Sequence, residues 1–130
     1  MVKKLVAVFL LVGLLSLLAG CVVQSAPSGG GGNTVEMGAT TYTSGSSITI
    51  KKGQTITFTD NKSNGTLHIL VVGENGTAQN EAGAPDFGAN GMTFNPGDSK
   101  ATPPWMTPGT YHVTCTVHPT TMNLTVTVTE

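Results

Sequence analysis

Three side chains with metal-binding chemistry lie within eight residues near the end of the chain: Cys115, His118 and Met122. A thiolate, an imidazole and a thioether are the ligands that a soft copper site combines. Taken singly, a buried cysteine or methionine is more often an inert part of a hydrophobic core. Together in one short segment they are better explained by a metal site, and the segment predicts copper binding.

The segment that carries these donors is bounded by two strand patterns. Residues 109–114 include the aromatic and β-branched types that strands favour. Residues 123–129 alternate the apolar Leu124, Val126 and Val128 with threonines, which is the period of a half-buried strand. The sequence therefore predicts that the donors lie on a short loop between two strands.

A fourth donor must come from elsewhere in the chain, and His68 is well placed to supply it. This histidine lies in an apolar run, residues 67–72, whose short length and β-branched content predict a strand. Alone, a histidine in such a run is more often a buried residue with one hydrogen bond. Because Cys115, His118 and Met122 need a fourth donor, a ligand role is the better explanation of this histidine, and we expect His68 to be the remaining ligand.

These features make the sequence similar to the cupredoxins, the blue-copper family that includes plastocyanin, amicyanin, pseudoazurin and auracyanin. The most specific part of the resemblance is residues 109–111 leading into Cys115, two further residues and His118. The resemblance implies that His68, from an upstream strand, meets Cys115, His118 and Met122 around one type 1 copper ion. It also implies a single-electron carrier in which the ring edge of His118 is the electron port.

Two other thioethers compete with Met122 for the axial position of such a site. Met106 lies in a proline-rich segment before the Cys115 strand, and Met92 lies in a stretch without a clear pattern. Neither occupies the loop position that the family uses, so we expect Met122 to be the ligand. His112 falls on the opposite face of its predicted strand from Cys115, and we expect it at the surface.

Two positions depart from the family pattern. Ile69 follows the first histidine, where many members have an asparagine that ties the ligand segments together. Val117 precedes the second histidine, where many members have proline, and the proline follows instead at Pro119, as in amicyanin. The hydrogen bonds around the thiolate, which tune the potential of such sites, therefore cannot be transferred from the family to this sequence.

The rest of the sequence has the pattern of an all-β domain. Valine, threonine, glycine and asparagine dominate after residue 33, and no stretch there has a helical period. The predicted strands are residues 35–42, 47–51, 54–60, 67–72, 99–102, 110–115 and 123–129. Short strands separated by turns, like the resemblance to cupredoxins, favour a Greek-key β-sandwich or barrel of about seven to eight strands. The region 73–97 has no assignment.

The first twenty residues have the features of a bacterial export signal. Lys3 and Lys4 precede an apolar run over residues 5–18, which is too short for a comfortable membrane span. The run ends in Leu-Ala-Gly-Cys, residues 18–21, which resembles a lipobox. That resemblance implies cleavage before Cys21 and lipidation of its sulfur. We therefore expect an exported protein, anchored by lipid to the outer face of the bacterial cell membrane or to a periplasmic membrane face.

The chain thus divides into three predicted parts. Residues 1–20 are a lipoprotein signal peptide, residues 21–34 are the lipidated cysteine with a flexible glycine-rich tether, and residues 35–130 are a cupredoxin domain. With Cys21 lipidated, Cys115 has no partner for an intramolecular disulfide. Metal ligation explains why an exported protein keeps a free thiol.

Charge and size limit the partners. Six lysines against seven acidic residues leave a formal net charge of -1, which excludes the basic surface that nucleic-acid binding requires. The 130-residue chain suits one modest folded domain. We expect a monomer that exchanges electrons with exported redox proteins and contacts the membrane through its lipid anchor.

Four functions remain open from the sequence. A membrane-tethered electron carrier is favoured, and the alternative is a copper storage or delivery protein outside the cytoplasm. A multicopper enzyme is disfavoured because Thr114 and Thr116, not histidines, flank Cys115, and because the chain has three histidines in total. We therefore expect no enzyme activity. A metal-free adhesion domain would require the donor set to be accidental.

An electron carrier also needs a docking surface near its electron port. Pro119, Trp105 and Met106 are apolar residues close in sequence to the predicted ligand loop, and we expect them to form a docking patch. Transient redox complexes use small interfaces, so a patch of this size is sufficient.

Overall fold

The computed structural model describes residues 32–64 and 66–130. The predicted signal peptide, Cys21 and nearly all of the predicted tether lie outside the described residues, so the expectations about them stay predictions. Within the described part of the chain, no helix is long and apolar enough to cross a membrane.

The described residues fold into nine strands and one short 3-10 helix. In chain order the strands are β1 (Thr34–Met37), β2 (Ser47–Lys51), β3 (Thr57–Asp60), β4 (His68–Glu74), β5 (Thr77–Ala78), β6 (Met92–Phe94), β7 (Ser99–Ala101), β8 (Gly109–Cys115) and β9 (Asn123–Thr129). The 3-10 helix, Lys62–Asn64, lies between β3 and β4. The all-β prediction is confirmed, and β2 and β9 have the predicted bounds.

The strands form two sheets. The smaller sheet has the order β1-β3-β7, in which β1 runs parallel to β3 and β7 runs antiparallel to it. The larger sheet has the order β2-β9-β8-β4-β5, and β6 also pairs with β4. In this sheet β2 runs parallel to β9, and the other neighbours are antiparallel. The central position of β4 and β8 matters for the site, because both carry predicted ligands.

The hydrophobic core draws side chains from both sheets. Leu124, Val126 and Val128 of β9 face inward, and the residues between them are half-exposed, so the predicted alternation is present. Phe58 of the smaller sheet packs edge-on against Phe94 of the larger sheet, with ring centroids 6.3 Å apart. Burial of these large apolar side chains stabilises the association of the two sheets.

The register of the larger sheet places two predicted ligands on neighbouring strands. Leu70 of β4 pairs with Cys115, the last residue of β8. His68 lies two residues before Leu70, at the start of β4, and pairs with Phe94 of β6. Because residues two apart in a strand point to the same face, His68 and Leu70 share a face of the sheet.

The region without a sequence assignment, residues 73–97, contains two short strands. β5 has two residues and pairs with the end of β4, and β6 has three residues and pairs with its beginning. Strands of this length have too few residues to establish an alternating pattern. This is why the sequence predicts about seven to eight strands and the structure has nine.

Trp105 is a core residue and not part of a docking patch, so that prediction is wrong. The side chain is 0% exposed and packs against Tyr111 and Phe87, with ring centroids 5.4 and 6.2 Å away. Tyr111 lies near the start of β8, whereas Cys115 ends this strand. Trp105 therefore closes the end of the core that is remote from Cys115, and the neighbouring Met106 is exposed there.

Candidate metal centre

His68, Cys115 and His118, three of the four predicted ligands, converge in the structure. The Nδ1 atoms of His68 and His118 each lie 3.8 Å from Sγ of Cys115. One ligand atom from each residue lies within 4.8 Å of the other two, and the imidazole centroids are 5.1 Å apart. Within residues 32–64 and 66–130, no other three histidine, cysteine or acidic side chains come together in this way.

The four predicted ligands differ in their access to solvent. His68, Cys115 and Met122 are each 0% exposed. His118 is half-buried, so its imidazole is the part of the site that reaches the surface. The arrangement gives a closed interior and a single exposed donor.

The distances in the cluster fit one bound metal ion. Metal–nitrogen and metal–sulfur bonds of about 2.0 and 2.3 Å, the lengths known for zinc, place two donors about 3.7 Å apart at a trigonal angle. The observed separations of 3.8 Å agree with that value. Two imidazoles and one thiolate, with a weak axial thioether, form the donor set of blue-copper sites. The residues present therefore fit copper.

Met122 is connected to both other ligands of its loop through the backbone. Its carbonyl accepts a hydrogen bond from the N–H of Cys115, and its own N–H donates to the carbonyl of His118, both at 3.0 Å. Of the competing thioethers, Met92 is half-buried on β6 and Met106 is 57% exposed. The loop thus holds Met122 beside the cluster, and its role as the axial ligand stays a prediction.

The turn between β4 and β5 supports the ligand loop from outside. The side chain of Asn123 donates to the carbonyl of Pro119 and accepts from the N–H of Asn75, both at 2.9 Å. The N–H of Gly76 donates to the hydroxyl of Thr114 at 2.8 Å. Thr114 is buried by this turn, although alternation along β8 places it on the face opposite the core.

A backbone hydrogen bond joins the two ligand segments at the position where many family members use asparagine. The N–H of Thr116 donates to the carbonyl of Ile69 at 2.9 Å. Because the bond involves no side chain, the segments are tied together even though residue 69 is apolar. The departure from the family pattern at Ile69 therefore leaves the connection between β4 and the ligand loop intact.

His112 lies outside the metal cluster. Its Nδ1 is 3.0 Å from a carboxylate oxygen of Glu81, and its Nε2 is 3.3 Å from one of Glu74. Its backbone N–H also donates to Glu81 at 2.8 Å. These contacts connect β8 to the chain on either side of β5, which is a structural role at a partly exposed position.

One residue beside the cluster was missed by the sequence reasoning. Asp60 ends β3, is 1% exposed, and places Oδ1 3.5 Å from Nε2 of His68. Burial raises the pKa of Asp60, against the opposing effects of His68 and the backbone at Asn61. Burial likewise lowers the pKa of His68, against the opposing effects of Asp60 and the backbone at Gly38. The only sequence feature that could have indicated Asp60 is its position as the single acidic residue at the end of the predicted strand 54–60.

Comparison with known proteins agrees with this geometry. Residues 31–129 match the family model of copper-binding proteins of the plastocyanin/azurin family. No curated protein sequence matches the chain significantly. Among solved structures, amicyanin from Paracoccus versutus (Thiobacillus versutus) superimposes with a TM-score of 0.57 at 21% identity, over 77% of this chain and 83% of that one.

Two amicyanin variants give similar results. A reduced variant has a TM-score of 0.57 at 19% identity, over 76% of this chain and 83% of its own. An oxidised variant has a TM-score of 0.56 at 19% identity, over 80% and 88%. At these identities the similarity establishes the fold, while the family model covers most of the chain. The chain therefore belongs to the plastocyanin/azurin family of copper-binding proteins, the cupredoxins, and its cofactor is one type 1 copper ion.

Proposed function

We propose that the protein is a blue-copper electron carrier whose copper ion is held by His68, Cys115, His118 and Met122. The observation that carries the proposal is the approach of two imidazole Nδ1 atoms to one cysteine sulfur, each at 3.8 Å. A bound copper ion supplies the centre that gains and loses one electron. The remaining histidine, His112, is paired with two glutamates, so we propose no second copper centre and no enzyme activity.

The task of the protein chain is to hold the donors in one geometry and keep water away from them. Backbone hydrogen bonds from Cys115 to Met122 and from Met122 to His118 close the ligand loop. The bond from Thr116 to Ile69 fixes that loop against β4. Ligands held in this way move little when the charge of the site changes, which favours fast electron transfer.

Burial argues against copper delivery as the main function. A delivery site needs donors that a receiving protein can reach, but His68, Cys115 and Met122 have no exposed surface. We expect slow loss of copper to an added chelator. Rapid transfer of copper to a metal-free acceptor would favour the delivery function instead.

We place the electron port at His118, the half-exposed donor. Leu67 and Val117 directly precede His68 and His118, and each is 42% exposed, which is unusual for large apolar side chains here. They supply an apolar face on which a redox protein can dock transiently. This face replaces the docking patch around Trp105, whose side chain is buried.

Substitution Val117→Asp tests the docking face. A charge at this position should slow electron exchange by about tenfold, because it must be desolvated on contact, and should leave the copper absorption unchanged. Met106→Asp is the matched control, since Met106 is also exposed and apolar but lies near Trp105. Equal slowing by both substitutions, or by neither, would argue against a docking face at Val117.

We further propose that lipidation of Cys21 attaches the protein to the outer face of a bacterial membrane, where it meets exported redox partners. Cys21→Ser should release the protein from the membrane fraction. Continued membrane attachment of that variant would contradict the lipid anchor.

Addition of Cu(II) to the chain lacking residues 1–21 tests the metal site. We expect an intense blue absorption from thiolate-to-copper charge transfer at one equivalent of copper. Cys115→Ser should abolish the band, because a hydroxyl does not replace the thiolate. His112→Ala removes a histidine outside the cluster and should retain it. A colourless copper complex of the unaltered chain would refute the proposal.

A further inference from the structure

A buried carboxylate faces the side of the His68 ring that points away from the cysteine. Asp60 ends β3 and His68 begins β4, and neither side chain has any exposed surface. Oδ1 of Asp60 lies 3.5 Å from Nε2 of His68. Nδ1 of the same ring lies 3.8 Å from the sulfur of Cys115. The imidazole therefore stands between a carboxylate and the donor cluster.

In the described part of the chain, no hydrogen bond of normal geometry reaches the carboxylate of Asp60 or Nε2 of His68, although the backbone at Asn61 acts on the first and the backbone at Gly38 on the second. Both carboxylate oxygens of Asp60 and Nε2 of His68 are buried without a hydrogen-bond partner. The backbone of Asp60 is fixed, since its N–H donates to Asp98 at 2.8 Å and its carbonyl accepts from Gly97 at 3.2 Å. The smaller sheet thus directs the carboxylate of Asp60, whose burial without hydrogen bonds costs free energy, towards one histidine.

The orientation of the ring assigns its hydrogen. A neutral imidazole carries one N–H, and the other nitrogen offers the lone pair that binds a metal. Nδ1 of His68 faces the sulfur of Cys115, so the hydrogen belongs on Nε2, where the carboxylate of Asp60 and the backbone of Gly38 are the two groups that favour it.

We propose that Asp60 is a positioning residue, whose carboxylate accepts the Nε2 hydrogen of His68 and so presents the Nδ1 lone pair to copper. The inference rests on the proposed function of the site. The distance of 3.5 Å is slightly longer than a normal hydrogen bond.

A carboxylate in this position has two physical consequences. It holds the ring in one orientation and makes the imidazole a stronger donor, as the outer partners of metal-bound histidines do. In its ionised form the carboxylate also stabilises the more positive oxidation state of the metal, which lowers the reduction potential. Asp60 would therefore adjust both the affinity of the site and its potential without touching the metal.

The experiment compares two substitutions of Asp60 with a matched control in the full chain loaded with copper. Asp60→Asn keeps the shape and an acceptor oxygen but removes the charge, while Asp60→Leu removes both. Glu36→Gln removes a charge from an exposed position of β1, the strand paired with β3. The measurements are the reduction potential, the copper affinity against a competing chelator, and the NMR signal of the Nε2 hydrogen in the reduced form.

We expect Asp60→Leu to weaken copper binding by about 10–100-fold and to lose the slowly exchanging Nε2 hydrogen. Asp60→Asn should raise the reduction potential, because the stabilising charge is gone. Glu36→Gln should leave all three measurements unchanged, since the charge that it removes is exposed to solvent and therefore screened.

Several results would overturn the inference. A potential that is the same in Asp60→Asn and Glu36→Gln would do so. If Asp60→Leu does not fold, the unaltered protein still decides the matter, because a hydrogen on Nδ1 or a fast-exchanging Nε2 hydrogen contradicts the proposal. Failure of the unaltered chain to turn blue with copper would refute the metal site itself. A blue protein that is indifferent to Asp60 would refute this inference alone.

Discussion

Near the start of β8 the buried polar groups are hydrogen-bonded, whereas at its end, around Cys115, several described groups have no such partner. The hydroxyl of Thr102 accepts hydrogen bonds from the N–H of Ile56 and from Nε1 of Trp105, both at 3.1 Å. The same hydroxyl donates to the carbonyl of Pro103 at 2.8 Å. One buried side chain therefore satisfies two donors and uses its own hydrogen.

The site end differs. In the part of the chain that the structure describes, four buried side-chain atoms lack a hydrogen-bond partner, and they belong to Tyr42, Asp60 and His68. Asp60 faces His68. Tyr42 forms an isolated β-bridge with Met37, and Met37 is the residue of β1 that pairs with Asp60 of β3. Buried polar groups are normally satisfied, so a cluster of unsatisfied ones marks a place where the fold serves binding more than stability.

Substitution Thr102→Val should produce the largest loss of stability, because it removes the hydroxyl that hydrogen-bonds the buried groups near the start of β8. It leaves the N–H of Ile56 and Nε1 of Trp105 buried without an acceptor, at about 1–3 kcal/mol for each group. We expect the free energy of unfolding of the copper-free protein to fall by about 2–4 kcal/mol in urea. The blue absorption of the copper-loaded variant should be unchanged.

Thr102→Ser is the control for this prediction, since it keeps the hydroxyl and removes a methyl group. It should cost about 1 kcal/mol, the value of a small buried apolar group. If valine and serine destabilise equally, packing and not hydrogen bonding governs this end of the molecule. A change of the copper spectrum in Thr102→Val would show that the two ends are coupled.

The same contrast explains how far the sequence could predict the fold. β9 was predicted with its bounds because Leu124, Val126 and Val128 produce a full alternating pattern over one half-buried face. β5 and β6 were missed, because two or three residues cannot show a period. The burial of Trp105 was also missed. It depends on ring contacts with Tyr111 and Phe87, which are not neighbours of Trp105 in the sequence.

The site was predictable where donors share a short segment and was not where a contact is purely spatial. Cys115 and His118 were identified by spacing, and His68 by the resemblance and its strand pattern; the structure brings all three together. Asp60 lies eight residues before His68 in a strand of the other sheet, and only the packing of the two sheets brings its carboxylate to the ring. No local pattern encodes that meeting.

Substitution Gly76→Ala tests how packing, in place of hydrogen bonds, holds the site end. A Cβ at Gly76 would lie 2.3 Å from Cβ of Pro119 in the ligand loop, so the turn or the loop must move. We expect a cost of about 1–3 kcal/mol from the clash, together with a shift of the blue absorption, because His118 precedes Pro119.

Gly53→Ala is the matched control. Gly53 has a φ of +84° and Gly76 a φ of +73°, so alanine is strained by the backbone to a similar degree at both positions. A Cβ at Gly53 meets no atom within 4 Å, so only the backbone strain is felt there. The difference between the two variants isolates the contact with Pro119. Equal stability loss and an unchanged spectrum would show that the turn does not support the loop.

Two tyrosine hydroxyls offer the smallest effect and the most direct comparison of the two ends. The hydroxyl of Tyr111 donates to the carbonyl of Thr107 at 2.8 Å, whereas that of Tyr42 is buried without a hydrogen-bond partner in the described chain. Tyr111→Phe should therefore lower the free energy of unfolding by about 1 kcal/mol, while Tyr42→Phe should leave it unchanged or raise it by up to about 1 kcal/mol. Urea unfolding of the copper-free variants measures both. Since the chemical change is identical, a difference in sign between the two changes in unfolding free energy can come only from the surroundings of the hydroxyls. Equal losses would mean that the hydroxyl of Tyr42 has a hydrogen-bond partner after all, either water or a rotated neighbouring side chain.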